Sequence, residues 1–154
     1  RILTNSFGEQ GKNIEEIRKL DPAFFEEVRA ALPETALEFV RIIGLEAALA
    51  LISCFGGAEV RFVPAQASWK FERFSEVIGH KAAVQLAETF GSGIDVYIPR
   101  CSRARRMLRD RKIIREFDIM TTRHGISCRE AANQLAIKFG VSNRLVEKIV
   151  NSSV

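Results

Sequence analysis

Two short strand-forming runs, EVRFV at 59–63 and IDVYI at 94–98, interrupt a chain that otherwise patterns as helix. An isolated strand leaves a row of backbone N–H and C=O groups unsatisfied, so each run must find a partner. Either the two pair within one chain, or the strand of one chain pairs with that of another and joins two chains through a shared ribbon. The residues leave both arrangements open. Each run is entered through glycine (Gly56-Gly57, and Gly91 with Gly93) and followed by proline, Pro64 or Pro99.

The runs belong to a repeat. Shifted by 35 residues, Ile43-Gly44, Ala47-Ala48, Leu51, Phe55-Gly56 and Pro64 fall on Ile78-Gly79, Ala82-Ala83, Leu86, Phe90-Gly91 and Pro99. Phe62-Val63 fall on Tyr97-Ile98. Each copy, 43–64 and 78–99, reads as one packed helix, a glycine turn and one short strand. In this alignment Val60 meets Asp95 and Arg61 meets Val96, so the inward faces are one residue out of phase, a slip that exchanges the two faces of a strand. A bulge, or different packing of the two copies, would account for it.

The remaining segments up to residue 100 pattern mainly as helices. Asp21-Pro22 is a helix start, Asp as cap and Pro in the first turn. PAFFEEVRAAL runs to Pro33 and ETALEFVRIIG to Gly44. LEAALALISCF is apolar nearly all round and therefore deeply packed. HKAAVQLAETF is helical. SWKFERFSEVIG is compatible with helix or strand, and its Trp69, Phe71 and Phe74 read as core. Residues 1–12 are polar and glycine-containing, the composition of a loosely ordered end.

Charge divides the chain. Residues 1–100 carry 11 Lys and Arg against 14 Asp and Glu, a net of −3, whereas residues 101–154 carry 12 against 5, a net of +7. A basic third on a mildly acidic body is the layout of a nucleic-acid reader with a separate assembly region. The longest apolar run contains Glu46 and falls short of the roughly 18 residues a membrane span needs, so no membrane partner is expected. No basic, apolar leader opens the sequence, which begins at Arg1 and reads as trimmed. Three scattered cysteines, Cys54, Cys101 and Cys128, suit a reducing cytoplasm. No nucleotide-binding glycine motif, hydrolase elbow or paired-carboxylate constellation is present, so neither an enzyme nor a cofactor is expected. His80 and His124 lie far apart without ligand-spaced cysteines, which argues against a metal. Cys101 beside arginines is a free thiol, or, with a lowered pKa, a redox sensor.

The basic third opens with CSRARRMLRDRKIIREFDIM, where Ser102 can cap a helix and Met107, Leu108, Ile113, Ile114 and Phe117 form a partial apolar stripe. TTRHG breaks it. In SCREAANQLAIKFGVSNRLVEKIV, Ser127 with Glu130 forms a capping box, and Leu135, Ala136 and Phe139 face inward. Gly140 closes the helix, Val141 tucks under the turn and Ser142 caps a second helix whose Val146 and Ile149 face inward. This is a helix-turn-helix pattern, in which a small Ala136 lets the second helix cross closely. Asn143, Arg144, Glu147 and Lys148 would then face a major groove. Arginine can bond guanine through two donors and asparagine can bond adenine. Lys138, Arg129 and Arg123 would meet phosphates, which fix register rather than sequence. A helical hairpin without a DNA role carries the same apolar pattern.

These residues resemble a known family. GIDVYIPR, an arginine-rich helix containing LRDRKIIREF, and LAIKFGVSNRLVEKIV are together similar to the Mor/C transcription activators of Mu-like phages and prophages, over roughly 78–150. The resemblance implies a homodimeric activator with an N-terminal dimerisation region of helices and a short strand. Its C-terminal helix-turn-helix contacts DNA upstream of a promoter and helps recruit RNA polymerase. Carried over by position, Tyr97, Pro99 and Arg100 lie at the hinge, with Arg100 placed to meet a phosphate. Ser142, Asn143, Arg144, Glu147 and Lys148 lie on the reading helix. Two features depart from the pattern. The stretch DIMTTRHGISCREAANQ is several residues longer than the family's link. The first repeat copy is extra, and it could form an internal pseudo-dimer with the second.

The expected fold is α+β, mostly α. A helical assembly region at 1–100 carries the repeat, and a basic helix plus helix-turn-helix occupies 101–154. The expected function is a cytoplasmic, homodimeric regulator that binds double-stranded DNA, an activator with RNA polymerase as a further partner. A repressor or DNA-organising protein, and a protein-interaction module without DNA, are the rival readings.

Overall fold

A computed structural model of the chain describes residues 14–64, 69–91 and 93–152. Residues 1–12, expected to be loosely ordered, lie outside the described residues. The chain divides into two compact units, Arg1–Arg105 and Arg106–Val154.

Unit 1 begins with α1 (Ile14–Arg18) and α2 (Pro22–Ala30). The Asp21 carboxylate accepts the Ala23 N–H at 3.0 Å, and Pro22 sits in the first turn, as its fixed φ and missing donor favour. Two matching segments follow. Copy 1 is α3 (Glu34–Ile43), Gly44, α4 (Leu45–Phe55) and β1 (Glu59–Arg61); copy 2 is α5 (Trp69–Ile78), Gly79, α6 (His80–Phe90) and β2 (Asp95–Tyr97). Corresponding helices have equal lengths, 10 and 11 residues. One glycine joins the helices in each copy, at φ 88°, ψ 162° for Gly44 and φ 94°, ψ 150° for Gly79. That region is essentially closed to residues with a Cβ, so glycine sets the angle between the helices. The segment at 69–78, compatible with helix or strand by sequence, is a helix, and α3 holds the corresponding place before Gly44.

The two strands pair with one another, antiparallel, within the chain: Glu59 opposite Tyr97, Val60 opposite Val96, Arg61 opposite Asp95. Val60 and Val96 are both half-buried between exposed neighbours. The expected slip of one residue is corrected here. Three residues separate α4 from β1 and four separate α6 from β2, so the strands match at a shift of 36 while the helices match at 35. Phe62 accordingly corresponds to Ile98, and both are buried. At the end of the ladder the Gly57 N–H donates to the Ile98 carbonyl at 2.7 Å, and the Ile98 N–H donates to the Ala58 carbonyl at 2.9 Å. Two residues thus oppose one, with Gly57 at φ 93°, the bonding of a glycine bulge.

The copies pack reciprocally. Helix α3 lies against α6, and α4 against α5. Phe39 meets Phe90 at 5.9 Å between ring centroids, and the equivalent pair, Phe74 and Phe55, meets at 5.1 Å. Phe62 bridges Phe74 and Phe90 at 5.3 and 5.6 Å. Ile43, Gly44 and Ala47 line an open depression together with their counterparts Ile78, Gly79 and Ala82. This reciprocity is that of an approximate two-fold axis relating copy 1 to copy 2. Trp69, expected in the core, is 60% exposed, with the Arg73 guanidinium over its ring; Phe71 and Phe74 are buried.

Unit 2 is completed by α8 (Cys128–Phe139) and α9 (Asn143–Ser152). Helix α7 (Ser102–Thr122) starts in unit 1 and runs into it, carrying through the two threonines expected to break it. Ile113, Ala132, Leu135, Val146 and Ile149 form the core of unit 2, flanked by Ile114, Phe117, Met120, Ala136, Phe139, Val141, Leu145 and Val150. Among the described residues no helix is long and apolar enough to cross a membrane.

Candidate nucleic-acid interface

The α8–turn–α9 segment is fixed by local hydrogen bonding. Ser127 Oγ accepts the Glu130 N–H at 3.1 Å, so the N-cap of α8 forms as expected. The Glu130 carboxylate accepts from Gln134 Nε2 at 3.0 Å, and the return arm of the expected capping box is not seen among the described residues. At the other end Gly140 adopts the left-handed conformation, φ 67° and ψ 36°. The Gly140 and Val141 N–H groups both turn back to the Ala136 carbonyl. Ser142 Oγ then accepts the Leu145 N–H at 3.1 Å and starts α9 only three residues after α8 ends. The residues of α8 buried together with Leu135 are Ala131 and Ala132, whereas Ala136 is half-buried.

Burial sorts α9 into two faces. Val146 and Ile149 are buried and Leu145 and Val150 half-buried, while Asn143, Arg144, Glu147 and Lys148 are exposed. The exposed four are spaced i, i+1, i+4, i+5 and therefore share one side of the helix. Ser142 is exposed as well but spends its hydroxyl oxygen on the cap. The Asn143 side-chain amide donates to Asn133 Oδ1 at 3.0 Å, which orients it from α8.

The expected phosphate contacts differ in their surroundings. Arg123, after α7, and Arg129, in the first turn of α8, are exposed. Lys138 is exposed but bound, its ammonium 2.7 Å from Glu116 of α7 and 5.7 Å from the Phe139 ring centroid. It braces α8 on α7. Arg100 belongs to unit 1, where its guanidinium lies against Gly57 and a Cβ built at that glycine would come within 3.2 Å of it. Of the expected residues, then, unit 2 gathers Arg123, Arg129, Lys138, Ser142, Asn143, Arg144, Glu147 and Lys148, and Arg100 lies outside it. On α7, Arg109 pairs with Asp110 at 2.8 Å, which offsets part of the helix's positive charge.

Two further side chains stand out. Ile137 on α8 is 84% exposed, an apolar residue in a polar row that periodicity alone had not marked. Burial raises the Cys101 thiol above its ordinary range, and the opposing pull of Arg105 is the smaller effect. That removes the lowered pKa a redox sensor would need. Among the described residues no group of three or more His, Cys, Asp or Glu could hold a metal.

Residues 71–153 match the model of the Mor transcription activator family. No curated protein and no solved structure matches the chain. The matched stretch takes in nearly all of copy 2, α7 and unit 2, and leaves copy 1 outside. Covering more than half of the sequence, it establishes that the chain belongs to the Mor transcription activator family.

Proposed function

We propose that this chain is a sequence-specific DNA-binding transcription regulator that activates phage or prophage promoters by placing α9 in the major groove and helping to recruit RNA polymerase. The observation that carries the reading is the exposed row Asn143, Arg144, Glu147 and Lys148, on a helix whose opposite face is anchored by Val146 and Ile149. Family membership supports regulation and activation. Arg144 would read a base edge, Asn143 would do so from the position its bond to Asn133 gives it, and Arg123 and Arg129 would contact phosphates. Lys138, exposed and paired with Glu116, holds α8 on α7 and would also meet a phosphate. In the fuller form expected from the sequence, two chains join as a homodimer; of the two strand pairings the sequence leaves open, the one within a chain is formed.

Selection of tight binders from random duplex DNA, over a range of salt, tests the reading. Wild type should enrich one motif. Arg144→Ala should lose affinity equivalent to about 1–3 kcal/mol and relax the preference at one position. Equal binding of all sequences by wild type, or none at low salt, would sink it. Reporter transcription from the selected motif then separates activation from repression.

A further inference from the structure

We propose that copy 1 occupies the place of a second protomer, so that one chain is a complete assembly unit carrying a single reading unit. The family match begins at Phe71, and so covers one copy of the motif, the one that leads into α7. A chain with that copy alone would leave β2 unpaired and the apolar faces of α5 and α6 uncovered. A second chain related by a two-fold axis would cover both, since such an interface uses the same patch on each partner. In this protein residues 34–62 do so instead. The strand pairing centres on Val60 and Val96, α3 packs on α6 as α4 packs on α5, and the pairs Phe39–Phe90 and Phe74–Phe55 are the two halves of one reciprocal contact.

The self-contained arrangement wins over pairing between chains on concentration alone. A short connection from Phe62 to Trp69 holds the copies at an effective concentration of order millimolar, far above that of separate chains. Charge adds register: Arg61 Nε lies 2.9 Å from Asp95 Oδ1 across the ribbon, whereas two copies of β2 facing one another would set Asp95 opposite Tyr97. Copy 1 leads into α5, not into a reading helix. One chain thus brings one α9 to DNA and reads one half-site, without the symmetry mate a dimer would require about one helical turn away. The half-site statement rests on the DNA-binding proposal; the state of the free chain does not.

Two measurements on the full chain test this separately. In the first, Glu59→Cys and Tyr97→Cys are introduced together, with Cys54, Cys101 and Cys128 replaced by serine. The bonding of Ile98 to Ala58 makes 59 and 97 a non-hydrogen-bonded pair, whose usual Cα spacing of about 4.5 Å suits a disulfide. Oxidation should give a cross-link inside one chain at the monomer mass, 17.3 kDa, and light scattering of wild type should return the same mass. A covalent dimer, or wild type at twice that mass, would overturn the proposal even if DNA binds. In the second, one chain should bind per selected duplex with a Hill coefficient of one, and the motif should lack an inverted repeat. A paired motif filled by two chains overturns the half-site reading. A monomer that binds no DNA leaves the self-partnered fold standing and removes the DNA-binding proposal alone.

Discussion

Copy 1 and copy 2 trace one path with largely different residues, and the positions where they agree are those that face the axis between them. In α4 and α6 the shared residues are Ala47/Ala82, Ala48/Ala83, Leu51/Leu86 and Phe55/Phe90. The first three pairs are buried and the fourth supplies the reciprocal ring contacts. Where the copies differ, their surroundings differ. Leu49, Ala50 and Ile52 are buried in copy 1, whereas their counterparts Val84, Gln85 and Ala87 are only partly buried. Helix α1, with Ile14 and Ile17 buried, packs against α4. The faces the copies turn to one another carry the same residues, and each outer face has the composition its covering allows.

The comparison breaks most severely at the shared core. Leu51 and Leu86 are both fully buried, so Leu51→Ala and Leu86→Ala should each cost about 2–5 kcal/mol, and by similar amounts. Urea denaturation reads both; a difference above about 2 kcal/mol would mean that the positions are equivalent in path but not in packing. The glycine junctions come next. A Cβ at Gly44 or Gly79 meets nothing within 4 Å, so alanine there is opposed by backbone conformation alone. Gly44→Ala and Gly79→Ala should each cost roughly 1–3 kcal/mol. A neutral result at either would show that the helices can meet at another angle.

Much of this was legible in the sequence because it is local. Asp21, Ser127, Ser142 and Gly140 each act within four residues, and all four form the caps their types favour. The repeat was visible where the copies agree, in α4 and α6. It was hidden in α3 and α5, where only Phe39/Phe74 and Ile43/Ile78 match across ten positions. A rigid shift of 35 cannot see the one added turn residue before β2, and so it puts the strands out of phase. The Lys138–Glu116 pair joins residues 22 apart, and Trp69 lies on an outer helix face, so both depend on how helices pack. The exposed row on α9 followed from its periodicity; its role at DNA rests on the proposal.

Ser75 offers a finer test. Its counterpart is Val40, which is buried, and the Ser75 hydroxyl is buried without a hydrogen-bond partner among the described residues. Such a group carries a desolvation cost with nothing in return. Ser75→Val, which copies the solution of copy 1, should raise stability by about 1 kcal/mol in the same denaturation experiment. Loss of stability would show that the valine does not fit and that the copies diverge in shape at this point.

The smallest effect belongs to the ribbon. Arg61 and Asp95 form an exposed pair, and its two-fold counterpart sets Glu59 opposite Tyr97, where no such pair can form. The hydrogen bond from Arg61, helped by its charge, holds the Asp95 carboxyl below the usual carboxylate range. A carboxyl depressed in the folded state binds fewer protons there than in the unfolded chain, so its contribution is complete above the unfolded value and disappears as pH falls through the folded one. Both groups are solvent-exposed, and water and salt screen them. Arg61→Ala should therefore lower the denaturation midpoint slightly at neutral pH and low salt, less at high salt, and not at all once Asp95 is protonated. A difference from wild type that persists in acid would assign the effect to the aliphatic part of Arg61 lying on the ribbon. Charge would then have no part in matching copy 1 to copy 2.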